Sequence, residues 1–214
     1  VEQQKRKNET MGNMLKTPLC ELFEKYGSDK CESIFHTYSK YYYAITEQIS
    51  VNNVLEIGVG TKNIMAPIVG QGYIEGASLK AWRDFFPKAT IYGLDIDTSV
   101  LFEDTRIKCY FVDQSNVKSI MTTVDQIFND NNISTFDIII DDGSHISQHQ
   151  LCSLNVLSKF VSVGGVYIIE DIQDNELQIF TKNIPLGFKI LCMYSGNHKK
   201  SKTQDNFIAY KRVL

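Results

Sequence analysis

The chain has 214 residues, of which 43% are hydrophobic and 22% charged, the proportions of one ordinary globular domain. Its 22 basic residues against 25 acidic ones leave a net charge of -3, so no broad basic field exists to grip a phosphate backbone, and nucleic acid is not an expected partner. No apolar run approaches the ~18 residues of a membrane span, so no membrane partner is expected. The start is too polar for a signal peptide. Five scattered cysteines with no CxxC pair suit reduced thiols in a cytoplasmic protein better than a disulfide frame or a zinc site. The basic runs Lys5-Arg6-Lys7 and His198-Lys199-Lys200 read as solvated loops. The first residue is Val1, which fits either a removed initiator methionine or a domain of a longer polypeptide.

Residues 1–12 are charged and polar, a frayed start. Leu19, Leu22, Phe23 and Tyr26 recur at helical spacing, which predicts a helix that Gly27 ends. A second helix is predicted over 33–49. The first strand, 53–59, has the near-continuous apolar run of a strand covered on both faces. A loop rich in glycine (Gly70, Gly72, Gly76) follows, then a helix over 78–86 stopped by Pro87. Strands are predicted at 90–96 and 108–113, a helix at 119–130, and a strand at 136–141. The next helix spans 147–163, Gly164 and Gly165 turn the chain, and 166–171 is the fifth strand. Runs 187–194 and 206–213 flank a polar loop and read as an edge hairpin. The sum is an α/β fold: seven strands, mostly parallel, Rossmann-like, with helices on both faces, a C-terminal antiparallel hairpin and a helical N-terminal extension. One domain over 1–214 is expected, with 1–50 as an extension or lid and 51–214 as the core.

In open parallel sheets ligands bind beyond the carboxyl ends of the strands, and polar residues collect there repeatedly. The first strand ends in Glu56-Ile57-Gly58-Val59-Gly60, where two glycines let backbone approach a ligand. A tight strand-to-helix turn would use the same glycines. A dinucleotide fingerprint would want a third glycine, and position 63 is Asn, which counts against NAD. Asp95, beside Ile96 at the end of the second strand, can accept the hydroxyls of a ribose, with Asp97 the lesser candidate; either can instead cap the next turn. Asp113 and Gln114 end the third strand, where an acid or amide can read an adenine amino group.

Together "VLEIGVG", "IYGLDID", "FVDQS", "FDIIIDDGSH" and "GGVYIIEDI", over roughly residues 52–172, resemble the successive motifs of class I S-adenosylmethionine-dependent methyltransferases. More narrowly, "KYGSDK", "GASLKAWRDFFP", "DDGSH" and "IIED" look like the metal-dependent sugar O-methyltransferases that act on deoxysugars of macrolide antibiotics. The resemblance implies S-adenosylmethionine over Glu56, Gly58, Gly60, Asp95, Ile96, Asp113, Gln114 and Asp141. Adjacent acids end both the fourth and the fifth strand, so Asp142, Glu170 and Asp171 can converge as hard oxygen ligands for Mg²⁺ or Mn²⁺. Solvated acidic caps are the plainer alternative. His145, three residues beyond Asp142, is placed to take the proton of an acceptor hydroxyl, the role the resemblance also implies.

His149, one helical turn on, is read as helix surface. Tyr26, His36 and Tyr38 suit a sugar or a lid over the cofactor; equally, Tyr41–Tyr43 can simply pack on the sheet. The expected function is therefore O-methylation of a sugar hydroxyl, such as that of rhamnose in a glycoside or glycan, with a homo-oligomer open. The competing readings are a catechol-like acceptor, a hydroxylase-like relative with the same metal site, and a non-catalytic adenosyl-binding domain of a glycan enzyme.

Overall fold

Neighbouring residues in the central strands face opposite helical layers, because side chains alternate along a strand. Val54, Ile138, Ile140 and Ile168 belong to one core, and Leu55, Ile57, Ile139 and Ile169 to the other. The computed structural model describes residues 16–173, 175–197 and 204–214. The expected frayed start and the basic runs at 5–7 and 198–200 lie outside them.

The helices are α1 (Pro18–Tyr26), α2 (Tyr38–Thr46), α3 (Lys62–Val69), α4 (Ala77–Phe85), α5 (Val117–Asn131), α6 (Ser147–Leu157) and α7 (Leu177–Lys182). The strands are β1 (Asn53–Ile57), β2 (Thr90–Asp95), β3 (Glu103–Asp104), β4 (Ile107–Phe111), β5 (Phe136–Asp141), β6 (Val161–Ile169), β7 (Phe188–Asn197) and β8 (Gln204–Arg212). They pair in the order β3-β4-β2-β1-β5-β6-β8-β7. The five central strands, β4 to β6 in that order, are mutually parallel; β3, β8 and β7 run antiparallel to their neighbours. The sheet thus has one strand more than the seven expected, the two-residue β3.

Helices α1, α2 and α4 cover one face. Phe23 meets Trp82 edge-on at 5.1 Å, and Tyr41 and Tyr42 pack into this core beside Phe207. The opposite face is filled by Val124 of α5, Leu154 of α6 and Phe180 of α7. Each such side chain contributes roughly 1.5–3 kcal/mol on burial. No helix among the described residues is long and apolar enough to cross a membrane.

Several elements differ from the sequence expectation. α3 replaces the start of the glycine-rich loop: the Thr61 hydroxyl caps it by accepting from Ile64 N–H at 3.3 Å, although Pro67 lies inside it and none of its residues is buried. α2 is shorter than expected, which leaves residues 33–37, including His36, in the preceding loop. The helix expected over 147–163 stops at Leu157, and β6 starts at Val161, carrying Gly164 and Gly165 inside the strand. The pairing with β5 shifts register there, and a Cβ on Gly165 would lie 2.6 Å from the Asp137 carbonyl oxygen, so the glycines serve a bulge rather than a turn. The short α7 went without a prediction.

From β1 the chain steps outward to β2 and β4, then returns to the other side of β1 as β5. That reversal opens a crevice at the carboxyl ends of β1 and β5.

Candidate active site

The crevice is built on one close approach. Gly58 has φ 98°, and a Cβ there would lie 2.0 Å from the Asp142 carbonyl oxygen, so the turn after β1 can pass the turn after β5 only as glycine. The Asp142 N–H donates to Ile57 O at 3.0 Å and locks the two turns together.

Asp95 braces this turn from the end of β2. Its Oδ2 accepts from Val59 N–H at 2.9 Å and Gly60 N–H at 3.3 Å, and its Oδ1 from Asp97 N–H at 2.9 Å. Asp97 itself caps the short turn that follows, accepting from Ser99 N–H at 2.9 Å. Asp113 does the same for Ser115. Gln114 points inward: its Nε2 donates to Asp141 Oδ1 at 2.5 Å, and its Oε1 accepts from Ser144 N–H at 3.0 Å. It thereby holds the loop after β5.

Two expected cofactor residues lie beneath the crevice rather than on it. Asp141 is fully buried, accepts from Ser153 and Gln114, and burial pushes its carboxyl up to about 6. Glu56, also fully buried, accepts from the Ser78 hydroxyl and the Trp82 indole, each at 2.6 Å. Both brace the scaffold: Glu56 is held by side chains of α4, and Asp141 by Ser153 of α6 and by Gln114 of the loop after β4.

Beside the turn sits an acidic cluster with two cationic partners. Lys30, 1% exposed, donates to Asp142 Oδ2 at 2.5 Å and to Glu170 Oε2 at 2.7 Å, with Glu56 Oε1 at 3.7 Å. Burial disfavours its charge, but Asp142, Glu170 and Glu56 outweigh that and keep the ammonium protonated. Burial likewise pushes Asp142 up, yet Lys30 and the His145 hydrogen bond hold it well below the usual carboxylate range. Glu170 is 1% exposed and stands behind Lys30. Glu170, the expected third carboxylate ligand, shares Lys30 with Asp142.

His145 Nε2 lies 3.0 Å from Asp142 Oδ1 and 3.7 Å from Asp171 Oδ2. Burial lowers its pKa, and Asp142 and then Asp171 more than reverse this, to about 9. His145 and Asp171 both adopt left-handed backbone, with φ 55° and 49°. Such strain persists only where the surroundings enforce it, and it gathers at functional sites. Tyr38 helps, its buried hydroxyl donating to Asp171 Oδ1 at 2.5 Å. Asp142, His145 and Asp171 each bring a ligand atom within 4.8 Å of one another. Two hard carboxylates in a field that draws positive charge so strongly fit Mg²⁺ or Mn²⁺.

These groups open on a cavity of about 1240 Å³. That exceeds the ~300–1,000 Å³ of a single small-molecule pocket and leaves room for a cofactor and an acceptor together. Gly58, Gly60, Asp95, Ile96, Asp113 and Gln114 line it, as do Asp142, His145, Asp171 and His36. His149 faces it too, bonded to the Ser144 hydroxyl at 3.0 Å, rather than the outer helix surface. Glu56, Asp141, Glu170, Tyr26 and Tyr38 do not line it. Tyr26 is drawn off to Asp84, to which it donates at 2.5 Å. Asp29 and Lys30 do line it, carried there by the "GSDK" loop after α1. Both belong to the "KYGSDK" run that carries the resemblance, a polar stretch between two amphipathic helices.

No family model matches the chain. It is 34% identical over 158 residues, 72% of its length, to the 8-demethyl-8-alpha-L-rhamnosyl tetracenomycin-C 2'-O-methyltransferase of Streptomyces olivaceus. It is 41% identical over 118 residues, 55% of its length, to the mycinamicin VI 2''-O-methyltransferase of Micromonospora griseorubida. The chain spans 38% and 26% of the length of these relatives. Its structure resembles MycE methyltransferase from the mycinamycin biosynthetic pathway, solved with Mg, SAH and mycinamycin VI, with a TM-score of 0.67 at 26% identity, over 92% of this chain and 54% of that one. With this strand order, this glycine turn and these relatives, the chain belongs to the class I S-adenosylmethionine-dependent methyltransferases and is similar to sugar O-methyltransferases of macrolide and tetracenomycin pathways.

Proposed function

We propose that the protein methylates a hydroxyl of a sugar, a deoxyhexose such as rhamnose in a glycoside or glycan, using S-adenosylmethionine and a divalent cation. The observation that carries this reading is the convergence of Asp142, His145 and Asp171 beside the Gly58–Gly60 turn, in one cavity large enough for donor and acceptor. The relatives named for sugar O-methylation, and the neighbour solved with Mg and SAH, support it. A cytoplasmic location and a single domain, with residues before 51 walling the mouth, belong to the same proposal.

The turn and Asp95 would hold the adenosyl ribose, with Ile96 and Asp113 flanking the base. S-adenosylmethionine supplies an electrophilic methyl group. Asp142 and Asp171 would hold the cation, which when bound supplies positive charge that makes a nearby hydroxyl and imidazole more acidic. His145, whose Nε2 is held by Asp142, would take the hydroxyl proton on its other ring nitrogen, Nδ1. Holding donor and acceptor in one crevice would align the reacting atoms, which is what in-line transfer needs most.

The test is a mass-spectrometric assay of S-adenosylmethionine with rhamnosides and with a catechol. Methylated sugar is expected, lost on chelation and restored by Mg²⁺. Transfer to the catechol alone, or a full rate after chelation, would overturn the reading.

A further inference from the structure

Helix α6 buries a polar stripe where a helix packed on a sheet usually buries apolar residues. Ser147, Gln150 and Ser153 recur every third residue and so share one face, and they are 2%, 0% and 0% exposed. Ser153 donates to Asp141 at the end of β5. Gln150 reaches the end of β6, where its Nε2 donates to the Glu170 carbonyl oxygen at 2.8 Å. Its Oε1 has no partner among the described residues. A buried amide with an idle oxygen is costly, and a methionine would fill similar space without that cost. What the position requires is therefore the N–H donor.

The Glu170 carbonyl belongs to the peptide that precedes Asp171. The peptide that follows is held as well: the Ile172 N–H donates to Asn206 O at 3.2 Å, and Asn206 Nδ2 donates to Ile172 O at 2.9 Å. β8 is moored beside these bonds, where Asp205 Oδ1 lies 2.8 Å from His36 Nδ1. Two fixed peptide planes set both dihedrals of the residue between them, and Asp171 keeps its left-handed backbone, φ 49°. Without the Gln150 bond the first plane can turn, and a residue with a side chain relaxes out of that region. The Asp171 carboxylate then shifts, while Asp142 stays, its N–H tied to Ile57 O at 3.0 Å.

Building on the proposed cation site, we infer that Gln150 is its positioning residue. By fixing the turn at Asp171 it sets the separation of the Asp142 and Asp171 carboxylates, and with it the size of cation they accept. Mg²⁺ demands near-ideal geometry with ligands at about 2.0–2.1 Å, whereas Ca²⁺ takes them at about 2.3–2.6 Å in flexible arrangements. A loosened pair of carboxylates therefore penalises the smaller ion and leaves the larger one little affected.

The experiment measures Mg²⁺ and Ca²⁺ binding by calorimetry in wild type, Gln150→Met and Gln150→Asn, the last keeping an amide one methylene short. SAH binding in chelator confirms the fold of each. In both variants Mg²⁺ should bind at least about tenfold more weakly, the worth of a good hydrogen bond, and the Ca²⁺ affinity should change by less than about threefold. A smaller Mg²⁺ loss, or an equal loss for both ions, overturns this inference while the cation site stands. Loss of SAH binding in both variants would make Gln150 a residue of the fold alone and overturn it too. If wild type binds neither ion, the proposed cation site fails, and this inference with it.

Discussion

Replacing Lys30 by Met removes one buried charge from a cluster that has been arranged around it. The ammonium lies 2.5 Å from Asp142, 2.7 Å from Glu170 and 3.7 Å from Glu56, and it is 1% exposed. Breaking a buried pair by deleting one partner costs about 3–5 kcal/mol, because the remaining charge keeps its desolvation penalty without its counter-ion. In a domain of this size each kcal/mol moves the midpoint by about 2–4 °C, so the expected fall in Tm is roughly 6–20 °C. Circular dichroism melts in chelator would measure it. The same melts with Mg²⁺ add a sharper test. Three uncompensated carboxylates should draw the cation more strongly than the wild-type cluster does, so Mg²⁺ should recover more degrees in Lys30→Met than in wild type. A fall under about 3 °C, or an equal Mg²⁺ effect in both proteins, would refute the charge argument.

His145→Gln should keep SAH binding, measured by calorimetry, and lose about 10²- to 10⁴-fold in kcat. Imidazolium cannot accept a proton, so the wild-type rate should rise with pH. Its midpoint should move toward about 9 as Mg²⁺ is lowered and Asp142 and Asp171 act on His145 alone; a midpoint independent of Mg²⁺ would contradict this. Gly58→Ala forces a Cβ to within 2.0 Å of the Asp142 carbonyl and should abolish both SAH binding and transfer, whereas a near-normal SAH affinity would show that the turns can part. Asp84, held by Tyr26 first and then Arg83 and Lys25 at about 2, contributes stability present above the ordinary value of 3.8 and lost as pH falls through about 2. Acid melts of Asp84→Asn should therefore show a weaker loss between pH 4 and 2 than wild type does.

The strands and their polar ends were legible because both depend on local sequence. "FDIIIDDGSH" announces a buried strand that stops at an acidic turn, and the structure puts β5 at Phe136–Asp141 with Asp142 and His145 on the cavity. Which of two adjacent acids faces the ligand was less legible. Asp141 and Asp142 are chemically alike, but the alternation of β5 sends Asp141 down to Ser153 and Gln114, and Asp142 outward. Glu170 and Asp171 divide in the same way after β6, with Lys30 taking Glu170. Lys30 sits 112 positions before Asp142 and 140 before Glu170, so no spacing rule reaches it. α3 was hidden by Pro67 and by the lack of a buried face, and the shift of β6 by glycines that read as a turn.

The bond between His36 and Asp205 joins residues 169 positions apart, and β8 lies between β6 and β7 rather than outside them. On a chain emerging from its N-terminal end, Lys30 can find Asp142 and Glu170 well before Asp205 exists. The N-terminal segment is thus anchored in two stages, first by its lysine and last by its histidine. Contacts of such long sequence separation are slow to form. Closure of that wall should be a late event in folding, after the strand ends have already met around the crevice.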